Sequence, residues 1–313
     1  MRIAFTKCHG SGNDFPLIDA REMALSDTQW AAVARVLADR DGPVGGDGIL
    51  LLTAGDGDAQ FGMRMFNSDG SEAETCLNGL RCTARAGFEA MGLEAARVRL
   101  KVSRAEVAHV ADILPGVYGV ETRAGPASTD PQAVGIRIDG PAIDAVIPGL
   151  PSARAFTGVA MPNPHLVTFV ERVDEAELVA LGEWCEARPE LLVDRANVSF
   201  VEVRGGDLFV RTHERGVGLT DACGSAMAAS TFAAGLTGRV AFGTWTTAFN
   251  PGGRVRARAE APADGAVVTI QGNATFEWDG VIEVDLAAET ASWLEVVRRR
   301  DDEVAAWARV VAG

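Results

Sequence analysis

The chain has 313 residues, 47% of them hydrophobic and 23% charged, which fits a globular protein with room for two domains and a substantial core. A formal net charge of -14 disfavours nucleic acid and anionic membrane as partners, because both are anionic. Met1 opens directly into a strand-like segment, and no apolar run approaches the roughly 18 residues of a membrane span. The expectation is a cytoplasmic protein without signal peptide or membrane contact. Five cysteines (Cys8, Cys76, Cys82, Cys185, Cys223) are too few and too scattered for a disulfide framework. They also lack a Cys-x-x-Cys pair, and His9, His109, His165 and His213 are dispersed, so no metal site is predicted.

In chain order, a strand over 2–6 runs into a loop over 7–15 and a strand over 16–19. Ser26 is a suitable N-cap for an amphipathic helix to about Asp39. A glycine-rich turn, Gly42 to Gly48, leads to an apolar strand over 49–52. It lacks the Gly-Lys-Ser/Thr ending of a phosphate loop. A further strand, 61–66, ends in the polar turn 67–72, and the helix after Cys76 runs to Met91 with Gly92 as its stop. Short alternating segments continue to Asp139, and Gly140-Pro141 is the candidate crossover between domains.

The second stretch repeats this order: a strand into an Asn163-Pro164-His165 loop, a helix over 175–188, strands over 197–203 and 208–213, a polar turn, and a helix after Cys223. Spacings agree: Asn67 precedes Cys76 by nine (76 − 67) and Glu214 precedes Cys223 by nine (223 − 214), while Asn13 to Asp47 and Asn163 to Asn197 both span 34 (47 − 13; 197 − 163). These repeats predict a duplicated unit. The tail over 287–313 carries Trp293, Leu294, Val296, Val297, Val304, Trp307 and Val310 around a charge run, and is read as an amphipathic helical extension.

Both Cys76 and Cys223 stand at a turn that feeds an alanine-rich helix. There, unpaired backbone N–H groups and the helix dipole favour a thiolate and attract a carboxylate. Two such thiols suit inversion of a carbon bearing ammonium, carboxylate and hydrogen, since one removes the proton and the other returns one to the opposite face. No lysine sits in a pattern recognisable as a pyridoxal phosphate site, so the backbone N–H groups around Leu77-Asn78 and Gly224-Ser225 are left as the main stabilisers of carbanion-like charge.

Several ordered segments carry a resemblance across roughly residues 1–286: Lys7-Cys8-His9-Gly10-Ser11-Gly12-Asn13-Asp14-Phe15, Phe66 to Glu72, Asn163-Pro164-His165, Arg195-Ala196-Asn197, Glu214-Arg215-Gly216 and both cysteine turns. Together they resemble the diaminopimelate epimerase family. The resemblance implies an α/β (α+β) fold of two similar, pseudo-twofold-related domains, each a curved mixed sheet or barrel around a central helix. It sets them at 1–141 (with 276–286 returning) and 142–275, and implies a homodimer. It implies cofactor-independent conversion of LL- to meso-diaminopimelate on the route to lysine and peptidoglycan precursors. By position, Cys76 and Cys223 become the acid–base thiols, with His165 and Glu214 flanking them. Asn67, Asn163, Asn197 and Arg215 match the set that reads the distal amino and carboxylate groups, with Glu214 also within reach of an ammonium. Asn13 and the backbone at Leu77, Asn78, Gly224 and Ser225 match the reacting end.

Four positions leave the family pattern: Leu77, Pro162 and Ala226 each replace a glycine, and Leu219 replaces a glutamate. Leu77 is the one expected to crowd the site. Two alternatives stay open on the residues alone, a related racemase of another amino acid and a catalytically silent amino-acid-binding protein. Each asparagine, taken singly, has a structural reading as a turn residue, and Glu214-Arg215 reads equally as a solvated ion pair.

Overall fold

The computed structural model describes residues 1–161 and 163–312 and divides into two compact units, Met1–Thr122 together with the chain from Gln271 onward, and Arg123–Ile270. The first unit starts with β1 (Arg2–Gly10), β2 (Asn13–Asp19), α1 (Asp27–Leu37), β3 (Gly48–Ala54), β4 (Phe61–Asn67), β5 (Glu72–Ala73), α2 (Leu77–Met91), β6 (Ala95–Arg99) and β7 (Arg104–Val110). β1 pairs antiparallel with β2, β2 parallel with β3, β3 antiparallel with β4, and β4 antiparallel with β5 and parallel with β6. The chain leaves this unit within β8 (Gly119–Ala124), ahead of the Gly140-Pro141 turn.

The second unit adds α3 (Pro131–Val134) and β9 (Ala145–Val146), then runs through β10 (Ala155–Ala160), β11 (Pro164–Phe169), α4 (Glu175–Glu186), β12 (Asn197–Arg204), β13 (Asp207–Glu214), β14 (Gly218–Thr220), α5 (Gly224–Leu236), β15 (Thr246–Asn250) and β16 (Gly253–Ala259). Its pairings repeat the first unit's: β10 antiparallel with β11, β11 parallel with β12, β12 antiparallel with β13, β13 antiparallel with β14 and parallel with β15. The repeated path from β1 to β7 and from β10 to β16 is the repetition that the spacings foreshadow. The nine-residue spacings are the path from the end of β4 or β13, through a short strand, to the next helix.

In each unit one helix is buried nearly all round, α2 against the β1–β4 strands and α5 against β10–β13, β15 and β16. Alanine and glycine fill both helices because strands approach on several sides. The larger apolar side chains collect with the other helix: Trp30, Val33 and Leu37 of α1 pack on Ile3, Ile18 and Ile49, and Leu178 and Leu181 of α4 pack on Leu166, Val198 and Phe200. Ser26 caps α1 as expected, its hydroxyl accepting from the Gln29 amide while the Gln29 side chain accepts from Ser26 N–H.

Three expectations change. The 7–15 segment is a hairpin, with β1 continuing to Gly10 and turning through Ser11 (φ 52°) and Gly12 (φ 96°). Positive φ at both central residues gives a tight turn suited to strand twist, so this polar stretch pairs where composition suggests a loop. Pro164 and His165 likewise open β11, a place where proline costs no central ladder bond. The tail is only partly helical. After β17 (Val268–Asn273) the chain has re-entered the first unit, and β18 (Thr275–Asp285) pairs with β1 and with β19 (Thr290–Arg299). Trp293 to Val297 therefore lie in a strand, with Leu294 turned to the core; only α6 (Asp301–Ala312) is helical.

Candidate active site

Cys76 is the N-cap residue of α2, in an extended conformation (φ -146°, ψ 105°), and Gly79 N–H donates to its Sγ at 3.3 Å. The first-turn N–H groups of Leu77 and Asn78 have no acceptor within the helix, which leaves them to face an anion. Asn78 is buried and its Nδ2 donates to Asn13 Oδ1 at 2.5 Å. Asn13 in turn donates from Nδ2 to Asp47 Oδ2 at 3.0 Å, and Arg40 donates to the other Asp47 oxygen at 2.7 Å. The 34-residue spacing from Asn13 to Asp47 is thus a direct side-chain contact. Asn67 is engaged differently: it closes its own turn, donating to Ser71 Oγ at 3.0 Å.

Behind Asn78 lies Arg81, wholly buried, which spacing and composition do not single out. It donates to Asn78 Oδ1 (2.9 Å), Ser11 Oγ (2.9 Å), Asn273 O (3.0 Å) and Leu77 O (3.4 Å). The signal that could have found it is the Asn78-x-x-Arg81 step, which puts both side chains on one helix face. Gly10 has to be glycine because a Cβ there would stand 2.5 Å from the Asn78 carbonyl oxygen.

In the second unit Cys223 is the N-cap of α5, again extended (φ -138°, ψ 107°), with its Sγ 3.5 Å from Ser225 Oγ. Burial pushes this thiol well above the ordinary value and the Glu214 carboxylate pushes it further, while the Ser225 hydroxyl and Ala226 amide act weakly against them. Cys223 is therefore held as a neutral thiol although it caps a helix. Desolvation outweighs the dipole here.

His165 is fully buried in β11, beside Asn197 of the parallel strand β12. Its Nε2 lies 3.0 Å from Asn163 Oδ1 and 3.4 Å from Asn197 Nδ2. Asn197 Oδ1 accepts from Arg215 N–H at 2.9 Å. Burial, with Arg215 adding to it, lowers His165 to about 3, so the ring is neutral across the physiological range. The Arg215 guanidinium, 28% exposed, has Asp194 at 3.9 Å as a loose partner and can still clasp a carboxylate.

The structure thus gathers Asn13, Cys76, Leu77 and Asn78 at one helix start and Asn163, His165, Asn197, Glu214, Arg215, Cys223, Gly224 and Ser225 around the other. Of the departures from pattern, Leu77 is largely buried, Ala226 is wholly buried, and Leu219 packs on the core beneath α4 in place of a polar group. Pro162 lies outside the described residues. Cys8, Cys82 and Cys185 are fully buried, as small apolar residues would be. Among the described residues no three His, Cys, Asp or Glu side chains converge as a metal would require.

The diaminopimelate epimerase family profile matches residues 5–111 and 157–277. The diaminopimelate epimerase of Clostridium acetobutylicum is 36% identical over 291 residues, covering 91% of this chain and 87% of its own. That of Listeria monocytogenes is 37% identical over 302 residues, covering 92% and 91%. A phenazine biosynthesis protein of the PhzF family from Bacillus anthracis shares the fold at a TM-score of 0.64 and 13% identity, over 91% of this chain and 100% of that one.

Proposed function

Because the chain belongs to the diaminopimelate epimerase family and is an isomerase, we propose that it inverts one α-carbon of diaminopimelate, LL to meso, with Cys76 and Cys223 as the two proton-transfer groups. The observation that carries this reading is the repeat itself: each unit places a cysteine at the N-cap of its buried helix, after the same sequence of strands. The sulfurs differ in surroundings. Cys76 receives a backbone N–H, which favours an anion, whereas Cys223 is buried next to the Glu214 carboxylate, which favours the neutral thiol. Cys76 then removes the α-proton and Cys223 supplies one to the opposite face; the return reaction exchanges the roles.

The first-turn amides of α2 and α5 would hold the reacting carboxylate, where preorganised N–H donors stabilise developing negative charge by about 3 kcal/mol each. Arg215 would read the distal carboxylate, with Asn163 and Asn197 fixing its backbone and the neutral His165. Asn67 would help to read the distal ammonium, and Glu214, beside Cys223, would stand within reach of an ammonium. The reading includes a homodimer working in the cytoplasm in lysine and peptidoglycan-precursor synthesis, and sedimentation of the purified protein reads out the dimer.

Incubation with LL-diaminopimelate in heavy water is expected to give meso product with deuterium at one α-carbon. Replacing either cysteine by serine should slow turnover by about 10²- to 10⁴-fold. Wild-type protein that gives neither exchange nor meso product overturns the assignment.

A further inference from the structure

We propose that Arg81 is a positioning residue for the reaction: its buried guanidinium fixes the Asn13–Asn78 pair at the start of α2 and keeps a positive charge within electrostatic reach of the Cys76 sulfur. The inference rests on Cys76 being one of the two proton-transfer groups.

Arg81 is fully buried, and its four hydrogen-bond acceptors are neutral: two backbone carbonyls, a hydroxyl and an amide. Among the described residues no carboxylate comes within ion-pair distance of it. A buried cation without a counter-ion is costly and normally gives way to an apolar residue. Burial lowers this guanidinium to about 10, which leaves it charged at neutral pH, and the groups that favour its charge are Cys82 and Cys76. Cys82 is sealed within the helix packing, whereas Cys76 is partly exposed, caps α2 and accepts the Gly79 N–H, so an anionic Cys76 supplies the counter-charge that the buried cation lacks.

The repeat supplies a control. Counting from the N-cap cysteine, the place of Arg81 is taken in α5 by Ala228 (223 + 5), which is buried and apolar. The place of Asn67 is taken by Glu214, the carboxylate that opposes ionisation of Cys223. At matching places of the repeat, one thiol has a buried cation on its own helix and the other a carboxylate at the end of β13. That difference assigns the two sulfurs unlike roles at rest.

Other ionisable groups facing the cluster are Cys82 on α2, Cys8 and His9 on β1, and the Lys7, Asp14, Arg40 and Asp47 set at the hairpin. The variants below leave all of them in place.

The test is the pH dependence of iodoacetamide alkylation at Cys76, read by peptide mass spectrometry on substrate-free protein, so that it stands whether or not epimerisation is found. In wild type the Cys76 midpoint should fall below the ordinary thiol value of about 8.5 and below that of Cys223. Arg81→Gln, which keeps an amide donor without the charge, should raise it by about one pH unit or more and lower kcat about tenfold with little change in KM. Arg81→Lys, which keeps the charge but not the fork, should restore the midpoint. A wild-type Cys76 that titrates at or above 8.5 overturns the proposal even if neither variant folds, and so does a folded Arg81→Gln protein with an unchanged midpoint.

Discussion

Glu303 of α6 grips Arg85 of α2 through both terminal nitrogens, with Arg85 Nη2 donating to Oε1 at 2.9 Å and Nη1 to Oε2. Arg85 also donates to Ala274 O and lies over the Phe276 ring at 4.0 Å, so the tail closes on the helix that carries Cys76. Both charges are largely buried, 7% and 16% exposed. Removing Glu303 leaves the buried Arg85 with only the half-exposed Glu89 carboxylate, so Glu303→Gln should cost about 2–3 kcal/mol in urea unfolding. Glu89 contacts the same guanidinium from a position 46% exposed, and Glu89→Gln should cost under about 1 kcal/mol. Equal losses for the two would show that the tail does not anchor α2.

Much of this was legible in the sequence because the informative residues are short-range. The Ser26 cap, the Gly92 stop, the two cysteine turns and the repeated spacings all depend on neighbours within one element or one repeat. What escaped depends on partners far along the chain. Arg81 is defined by Asn273 and Ser11, and Arg85 by Glu303, none of which periodicity can pair. The tail differs from its helical pattern for a related reason: Trp293, Leu294, Val296 and Val297 fit a helical face as well as a strand, and pairing with β18 decides between them.

Glu214 and burial both hold Cys223 in its thiol form, and only the carboxylate can be removed by substitution. In Glu214→Gln the repulsion of a thiolate disappears, so alkylation of Cys223 at pH 8 should become faster, by about tenfold for each pH unit of relief. Epimerase turnover should fall in the same protein, because the carboxylate that keeps the donor thiol protonated is gone from its side. Alkylation of Cys223 that stays as slow as in wild type would show that burial alone controls it.

The β1–β2 turn tests whether the Asn13–Asn78 contact needs close backbone approach. Gly10→Ala introduces a Cβ 2.5 Å from the Asn78 carbonyl oxygen and 3.2 Å from the Arg81 guanidinium, and backbone and buried charge have little freedom to retreat. Overpacking of this kind costs about 1–3 kcal/mol, and turnover should drop because α2 starts at the displaced segment. Gly57→Ala has open space around its Cβ and should change neither stability nor turnover measurably. A Gly10→Ala protein indistinguishable from wild type would mean that β1 does not brace the helix start.

Stability should decline on both sides of neutrality, for opposite reasons. His165 is lowered to about 3 by burial, and His9, packed against Trp307 with ring centroids 5.2 Å apart, is lowered to about 4 by the same cause. Above the unfolded value of about 6.5 both states are neutral and pH has no effect through these rings. As pH falls below it the unfolded chain binds protons that the folded chain refuses, so stability is lost progressively towards the folded values. Between pH 7.5 and pH 5 the loss is about 2 kcal/mol for each histidine. On the alkaline side, burial raises Cys185 to about 12 and pushes Cys8 and Cys223 well above their ordinary value. The unfolded chain then gives up protons that the folded chain keeps, and stability falls as pH rises above about 8.5. Urea midpoints should therefore be highest between about pH 6.5 and pH 8.5. His213 is lowered by burial as well, so His165→Gln should flatten the acid limb by about a third to a half and leave the alkaline limb unchanged, since the two limbs titrate different groups. A wild-type midpoint that is the same at pH 5 and pH 7.5 would mean that the buried rings are protonated in the folded protein.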